Sequence, residues 1–210
     1  MINTNNHKKH PHLKLNVISD NYEDKFKPYC IKLRDENIEK IFYSWFDNFK
    51  KLRGAYELYY SIEEYTLPAP TLLTTYTQVL ESYHKQKYNK EKGTFKDRIT
   101  QICNDLKQYE LFKEIISPYN INQIEKYVEC INLNRNYYTH YDKNKKDSAL
   151  KGRELIKLNH SLKRLIELLF LKELKFDPNE INKITTTMTK FGNLTFLGES
   201  EEKEKNENIN

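Results

Sequence analysis

Apolar residues recur at three- and four-residue steps along most of this 210-residue chain, as they do on one face of an α-helix. Only five glycines and six prolines interrupt the pattern, so we expect long regular elements. The sequence therefore predicts an all-α fold. The helices are expected at about residues 35–65, 71–88, 95–106, 109–116, 121–138 and 149–174, with a last short turn from residue 177.

Glycine, proline and hydroxyl residues mark the expected helix ends. Gly54 is expected to break or kink the first helix, and Pro68 with Pro70 stops it, because proline lacks the amide hydrogen that a helix needs. Thr94 and Ser148 are placed to cap later helices, since their side chains accept hydrogen bonds from free first-turn amides. In the final helix, leucines at heptad-like spacing predict a buried face: Leu155, Leu158, Leu162, Leu165 and Leu169.

The two ends of the chain differ in composition from its helical middle. Residues 1–34 show little periodicity and predict an N-terminal extension that is irregular or carries short strands. Residues 35–190 are then the helical domain. Residues 191–210 are charged and poor in apolar side chains, which predicts a disordered tail.

Charge and composition exclude several classes of protein. The net charge of +5, from 35 basic and 30 acidic residues, permits a polyanionic partner without requiring one. No apolar run approaches the ~18 residues of a membrane-spanning helix, and the N-terminus lacks the apolar core of a signal peptide, so we expect a cytoplasmic protein. The clustered His7, His10 and His12 lack a cysteine or carboxylate to complete a closed metal site, so no metal or other cofactor is expected.

One residue interrupts the apolar stripe of the helix that begins near residue 121. Ile121, Ile124, Val128 and Ile131 follow one line along this helix, and the next position of the line is Arg135. A core-facing arginine is costly unless its charge is paired or solvated, and such local inconsistencies are typical of functional positions. The structural alternative is a snorkelling arginine near the C-terminus of a helix, where the helix dipole favours a cation.

The residues after this arginine suit phosphate chemistry. Arginine presents a permanent charge and a planar fork of donors to phosphate oxygens. His140 lies four residues after Asn136 on the same helix face, and histidine is the residue type best suited to acid and base work near neutral pH. On a regular helix, however, Arg135 and His140 point about 140° apart. Either the helix unwinds near Thr139, or the site needs groups from a second copy of the chain.

The segment RNYYTH, from Arg135 to His140, resembles the R-x(4–6)-H motif of HEPN ribonucleases, including the asparagine that often follows the arginine. The motif is short, but its position supports the resemblance, because it ends a long helix and precedes a lysine-rich loop and another long helix. The THYD sequence at residues 139–142 also fits the ending usual in the ApeA-like HEPN group.

Two earlier segments resemble the ApeA-like HEPN group in particular. LESYH at residues 80–84 is similar to the ALExYHR-like helix of that group. TFKDRITQI at 94–102 is similar to its next helix, with Arg98 at the matching position. The resemblance covers about residues 36–174, the C-terminal HEPN part of such proteins, and we expect their β-rich N-terminal module to be missing here or reduced to residues 1–34.

The resemblance implies a HEPN-type helical bundle that forms a homodimer and brings two motifs together in one composite active site. It implies RNA cleavage without metal, leaving a 2′,3′-cyclic phosphate and a 5′-hydroxyl. His140 would act as general acid or base, Arg135 would stabilise the charge of the phosphorane, and Asn136 would orient the phosphate or the histidine. Many members of the family act in anti-phage defence or as toxins, often on tRNA, so an antitoxin or sensor partner is a further expectation.

Residues near the motif have both a functional and a structural interpretation. Glu81 and His84, three residues apart on one helix, either support the cleft from behind the catalytic groups or lie on a solvated helix face. Tyr141, with its neighbours Tyr137 and Tyr138, either stacks on unpaired bases or packs within the bundle.

The stretch of residues 143–164 holds eight basic and two acidic residues and begins with Lys143, Lys145 and Lys146. It is either an RNA-binding surface or an ordinary solvated helix face. Arg98 is expected to be a structural ion-pair partner.

Three functions follow from this sequence. A ribonuclease is favoured by the intact set of Arg135, Asn136 and His140. The alternative is a catalytically inactive HEPN module that dimerises or binds a partner. An unrelated helical adaptor would leave Arg135 in its apolar stripe unexplained.

Overall fold

The computed structural model describes residues 35–63, 65–89, 93–119 and 124–182, and every regular element in these ranges is helical, which confirms the all-α prediction. The N-terminal extension, its histidine cluster and the charged tail lie outside the described residues. No helix in these ranges has both the length and the apolar character needed to cross a membrane. The helices are α1 (Asp35–Lys51), α2 (Arg53–Glu63), α3 (Ala69–Tyr88), α4 (Phe95–Leu106), α5 (Glu110–Ile116), α6 (Ile124–His140) and α7 (Gly152–Glu173), followed by a helical turn at 178–182.

The first predicted helix is in fact two helices, and the break falls at Leu52 rather than at Gly54. Gly54 lies inside α2, where that helix packs on α3. A Cβ added there would lie 2.7 Å from the side-chain amide of Gln86 and 3.0 Å from the hydroxyl of Ser82. The expectation that Gly54 interrupts the helix is wrong, because the glycine instead permits the close approach of two helices.

Local signals place the starts of α3 and α4. Pro68 precedes α3 and Pro70 lies in its first turn, where the missing amide hydrogen costs little. The hydroxyl of Thr94 accepts a hydrogen bond from the backbone N–H of Asp97 at 3.2 Å, and the Asp97 carboxylate accepts one from the backbone N–H of Thr94 at 2.9 Å. This capping box confirms the predicted cap. The hydrogen bond from the Thr94 side chain, and to a smaller extent the one from its backbone, hold the pKa of Asp97 below its ordinary value.

The predicted start of the last long helix is wrong. Ser148 is exposed, and α7 begins four residues later at Gly152, whose N-cap residue Lys151 makes no side-chain capping bond. The expected lysine-rich loop contains a 3-10 helix, Lys143–Lys145, which the side chain of Asp142 caps. The chain then enters α7 through Gly152, whose φ of 51° lies in the left-handed region that glycine adopts easily.

The core is centred on α3 and α7, which pack against each other, while α2, α4 and α6 also contact α3. The five leucines predicted for the buried face of α7 are all buried, so that prediction is confirmed. Two buried tyrosines have polar partners: the hydroxyl of Tyr83 donates to Glu173 at 2.7 Å, and that of Tyr127 lies 3.1 Å from the hydroxyl of Ser161. Burial, with the Glu173 carboxylate nearby, raises the pKa of Tyr83 far above its ordinary value.

Candidate functional site

Arg135 continues the apolar stripe of α6 after the buried Val128 and Ile131, and its side chain is 28% exposed. The central carbon of its guanidinium lies 4.9 Å from the centroid of the Phe95 ring, which covers one face of the group. One terminal nitrogen, Nη2, lies 3.6 Å from Oε2 of Glu81. The charge is therefore both paired and partly solvated, which are the two conditions under which an arginine is tolerated at a core-facing position.

Glu81 connects α3 to both α4 and α6. Its Oε1 accepts a hydrogen bond from Nη1 of Arg98, whose side chain is only 7% exposed, in agreement with the predicted ion-pair role of Arg98. The same oxygen lies 3.3 Å from Nζ of Lys85, and Oε2 faces Arg135. Three cations thus surround one carboxylate, and these four side chains carry two positive charges in excess.

Asn136 lies beside the arginine and is oriented by two side-chain hydrogen bonds. Its Oδ1 accepts from Nη1 of Arg135 at 3.3 Å, and its Nδ2 donates to Oδ1 of Asn132 at 3.3 Å. The asparagine therefore adds a second restraint to the guanidinium, from its own helix.

His140 is the last residue of α6, and its side chain is exposed. The helix is continuous through His140, so it does not unwind near Thr139, and that alternative is wrong. The side chains of Arg135 and His140 therefore leave α6 about 140° apart. One chain does not bring the two groups together on a common face.

The three tyrosines around His140 have different environments. Tyr138 is partly buried, and its hydroxyl donates to the backbone carbonyl of Leu150 at 2.6 Å. Tyr141 is 67% exposed and has a φ of 50°, and its ring centroid lies 6.0 Å from that of Tyr137 in an edge-to-face arrangement. Tyr141 is thus the ring of the three that is most accessible to a ligand.

Two side chains of α6 hold the segment that follows the 3-10 helix. The Oδ1 of Asn134, a residue only 1% exposed, accepts a hydrogen bond from the backbone N–H of Leu150 at 2.7 Å. Tyr138 lies four residues later on the same face of α6, and its hydroxyl donates to the backbone carbonyl of Leu150. Sequence reasoning missed this contact, although an asparagine and a tyrosine at helical spacing before a polar loop were a visible signal.

The lysines after the motif differ in their pairing. Lys143 and Lys146 are exposed, whereas Nζ of Lys145 lies 3.5 Å from the carboxylate of Asp142. On α7 and its surroundings several charges are matched, for example Arg164, which lies 3.1 Å from Glu114. Of these three lysines, only Lys145 lies within ion-pair distance of a carboxylate among the described residues, and Lys143 is the cation closest in sequence to His140.

His84 lies in the contact between α3 and α4. It is 2% exposed, its Nε2 lies 3.0 Å from Oε1 of Gln101, and its ring packs 4.8 Å from that of Tyr88. The two residues that the sequence grouped as neighbours thus face different surroundings: Glu81 meets Arg135, and His84 is enclosed by the core.

No group of three or more histidines, cysteines or carboxylates in the described ranges is arranged to hold a metal ion. An open groove of about 300 Å³ runs beside α6 near Cys130, Asn134 and Leu150, and neither Arg135 nor His140 lines it. Burial raises the pKa of the Cys130 thiol, which makes it a poor nucleophile.

The described residues form an all-α bundle with a polar cluster at the end of α6, which is the architecture of a HEPN-type domain. A comparison with protein-family models matches residues 74–180 to the Apea-like HEPN family. This range is slightly more than half of the chain, so the protein belongs to the Apea-like HEPN family. The matched range contains the polar residues described above, including Glu81, Arg98, Arg135 and His140. Neither the curated proteins nor the solved structures contain a match to this chain.

Proposed function

We propose that this protein is a metal-independent endoribonuclease that cleaves RNA with Arg135, Asn136 and His140. The observation that carries the proposal is the half-buried guanidinium of Arg135, oriented by Phe95 and Glu81 near the end of a helix that terminates in an exposed histidine. Membership of the Apea-like HEPN family supports the same reading.

In this mechanism His140 removes the proton from a ribose 2′-hydroxyl, and the 2′-oxygen attacks the adjacent phosphorus. The bond between phosphorus and the 5′-oxygen breaks, and the leaving oxygen takes a proton from water or from the imidazolium that His140 has become, which gives a 2′,3′-cyclic phosphate and a 5′-hydroxyl. Arg135 stabilises the negative charge that develops on the non-bridging oxygens, a contribution that is commonly about 3 kcal/mol per group. Asn136 orients the phosphate or the histidine.

The proposed active site is shared by two copies of the chain. Because α6 is regular through His140, Arg135 and His140 of one chain diverge, and a homodimer supplies the missing group to each arginine. The exposure of His140 at the helix end leaves it accessible to a second copy.

RNA would be held next to this site by charge and by stacking. The lysines Lys143, Lys145 and Lys146 would neutralise phosphates, and the exposed ring of Tyr141 would stack on an unpaired base. Glu81 would support the site from α3 through its contact with Arg135, and His84 would support it indirectly, by packing between α3 and α4 behind Glu81. We further propose a cytoplasmic role in anti-phage defence or as a toxin, with tRNA among the substrates and an antitoxin or sensor as a partner.

The first test compares the purified wild-type chain with Arg135→Ala and His140→Ala on total RNA and on tRNA, in EDTA. Arg53→Ala is a matched control, because Arg53 is an exposed arginine whose partner Glu57 lies on the same helix, α2. We expect cleavage by the wild type and the control, and loss of about 100-fold or more for each site variant. Equal behaviour of all four proteins would refute the catalytic assignment.

The second test addresses the nucleophile. A substrate with a single 2′-deoxyribose at the cleavage position should resist cleavage while its all-ribose twin is cut. Cleavage of both at the same rate would show that the 2′-hydroxyl does not attack.

The inactive HEPN module remains a second candidate, and one observation favours it. Arg135 is already satisfied in part by Glu81, Phe95 and Asn136, so its position has a structural explanation that needs no RNA. In that case the wild type would not cleave RNA in EDTA or with added divalent ions, while light scattering would still report a dimer.

A further inference from the structure

Glu81 and the three cations around it lie at different depths below the surface. Arg98 is the innermost, with 7% of its side chain exposed, Glu81 follows at 19%, and Arg135 is the outermost of the three at 28%. Lys85 lies at the rim with 47% exposure. The order means that the carboxylate is held from the inside by one arginine and presents its other oxygen outward to Arg135.

The inner contact fixes the carboxylate. Glu81 bonds the guanidinium of Arg98 through Oε1, and rotating away would leave that almost fully buried cation without this counter-charge, which is strongly unfavourable. Oε2 is therefore presented to Arg135 in a defined direction. A mobile surface glutamate would not give such a restraint, because exposed ion pairs hold long side chains only weakly.

The outer contact orients Arg135 without using up its donors. The separation of 3.6 Å between Nη2 and Oε2 is beyond a normal hydrogen bond, so Glu81 acts through charge rather than as an acceptor. Among the described residues, the hydrogen-bond acceptor of this guanidinium is Asn136, and Phe95 covers one face. Arginine has five N–H donors in one plane, so most of them remain available to a phosphate.

We propose that Glu81, anchored by Arg98, is the positioning residue of Arg135 and also its resting counter-ion, with which a phosphate of the RNA competes. The inference rests on the proposed ribonuclease function and deepens it. Glu81 has two opposite effects on the site. Its negative charge weakens the attraction of the site for RNA, and its contact with Arg135 holds the guanidinium in the orientation needed for turnover. The three cations Arg98, Arg135 and Lys85 carry two positive charges more than Glu81 neutralises, so the cluster still attracts a phosphate.

The test separates these two effects with Glu81→Gln, which keeps the size of the side chain and one oxygen but removes the charge. Turnover should fall by about 10- to 100-fold, as for other residues that orient a reacting group. Affinity for an RNA oligonucleotide blocked by 2′-deoxyribose at the cleavage position should rise by about threefold, because a competing negative charge is gone. A merely structural glutamate would not give tighter binding together with slower turnover.

Glu110→Gln is the matched control, since Glu110 forms an exposed ion pair with Lys113 on α5, and its replacement changes the net charge by the same amount. This control should leave turnover unchanged. Glu81→Asp keeps the charge and should recover part of the lost turnover without the gain in affinity. Thermal unfolding of each variant shows whether the fold is retained.

The inference is overturned if Glu81→Gln behaves as Glu110→Gln does, or if it loses affinity and thermal stability together. Should the wild type bind the blocked oligonucleotide but cleave no RNA, the proposed function fails, and the affinity gain of Glu81→Gln alone then decides whether Glu81 is a counter-ion. If the wild type binds no RNA at all, both proposals fall.

Discussion

At the scale of single residues, Arg135 shows how a charged side chain is accommodated in an apolar stripe. Different parts of the guanidinium meet different partners: the ring of Phe95 faces it, Glu81 balances its charge, and Asn136 accepts from one nitrogen. An isolated buried charge costs several kcal/mol, and each of these contacts offsets part of that cost. The arginine is tolerated in the apolar stripe because these three neighbours cover and pair its guanidinium. The part of the side chain that stays exposed leaves the guanidinium accessible to a ligand.

The capping box at the start of α4 yields a prediction at the same scale. Replacing Thr94 by alanine removes the acceptor for the backbone N–H of Asp97, and we expect a loss of about 1 kcal/mol in the free energy of unfolding. Thermal unfolding followed by circular dichroism should show a midpoint lower by about 2–4 °C. Thr71→Ala, an exposed threonine in the first turn of α3, is the control and should leave the midpoint unchanged.

The same pair predicts a dependence on pH. The hydrogen bonds from Thr94 depress the pKa of Asp97, so its contribution to stability is present above the ordinary value of 3.8 and is lost as the pH falls through the folded value. The difference in unfolding free energy between wild type and Thr94→Ala should therefore shrink when the pH is lowered from neutral to below 3.8. A constant difference would mean that the Asp97 carboxylate has no part in the cap.

At the scale of elements, α6 acts both as a core helix and as the support of the segment that follows it. Its buried face packs on α3 and α4, and its last turns carry Asn134 and Tyr138, which bind both backbone polar groups of Leu150. These two hydrogen bonds hold the segment that follows the 3-10 helix against the last turns of α6. The lysines of that 3-10 helix are thereby kept close in space to the end of the helix that carries His140.

Removing this support should loosen the segment. With Asn134→Ala the backbone N–H of Leu150 loses its acceptor in a partly buried place, and we expect a loss of about 1–3 kcal/mol. Hydrogen exchange of the Leu150 amide should become faster, whereas Asn104→Ala, an exposed position on α4, should not change it. Unchanged protection of Leu150 would show that the segment is held by other contacts.

At the scale of the whole molecule, the geometry of α6 separates the two groups proposed to act on RNA. A regular helix that ends at His140 gives Arg135 and His140 divergent directions, and for this reason we propose that they cooperate across a two-fold assembly. The same arrangement explains how Arg135 is embedded between α3 and α4 while His140 stays exposed.

Subunit mixing tests this proposal directly. Arg135→Ala and His140→Ala should each be inactive alone, but their mixture after dissociation and reassociation should recover about a quarter of the wild-type activity, because half of the dimers are mixed and each holds one intact pair. Mixing either variant with itself is the control. Light scattering must report a dimer, and an active monomer or a mixture without recovery would contradict the shared site.

The amino-acid sequence by itself determined the features that depend on neighbours along the chain. Helical periodicity set the helices, the Thr94 cap followed from first-turn hydrogen bonding, and the leucines of α7 defined a buried face before any packing was known. The position of Arg135 in an apolar stripe was recognisable for the same reason, because the residues that share one face of a helix follow from their spacing along the sequence. The RNYYTH motif likewise pointed to the HEPN family, to which the chain belongs.

Only the tertiary structure decided which groups from different helices meet. The choice of Glu81 and Phe95 as the neighbours of Arg135, and the burial of His84, depend on how α3, α4 and α6 cross. The role of Gly54 was misjudged for the same reason, because a glycine that breaks a helix and one that admits a second helix look alike in sequence. Packing is a property of faces brought together from distant segments, and spacing along a single segment does not encode which faces meet.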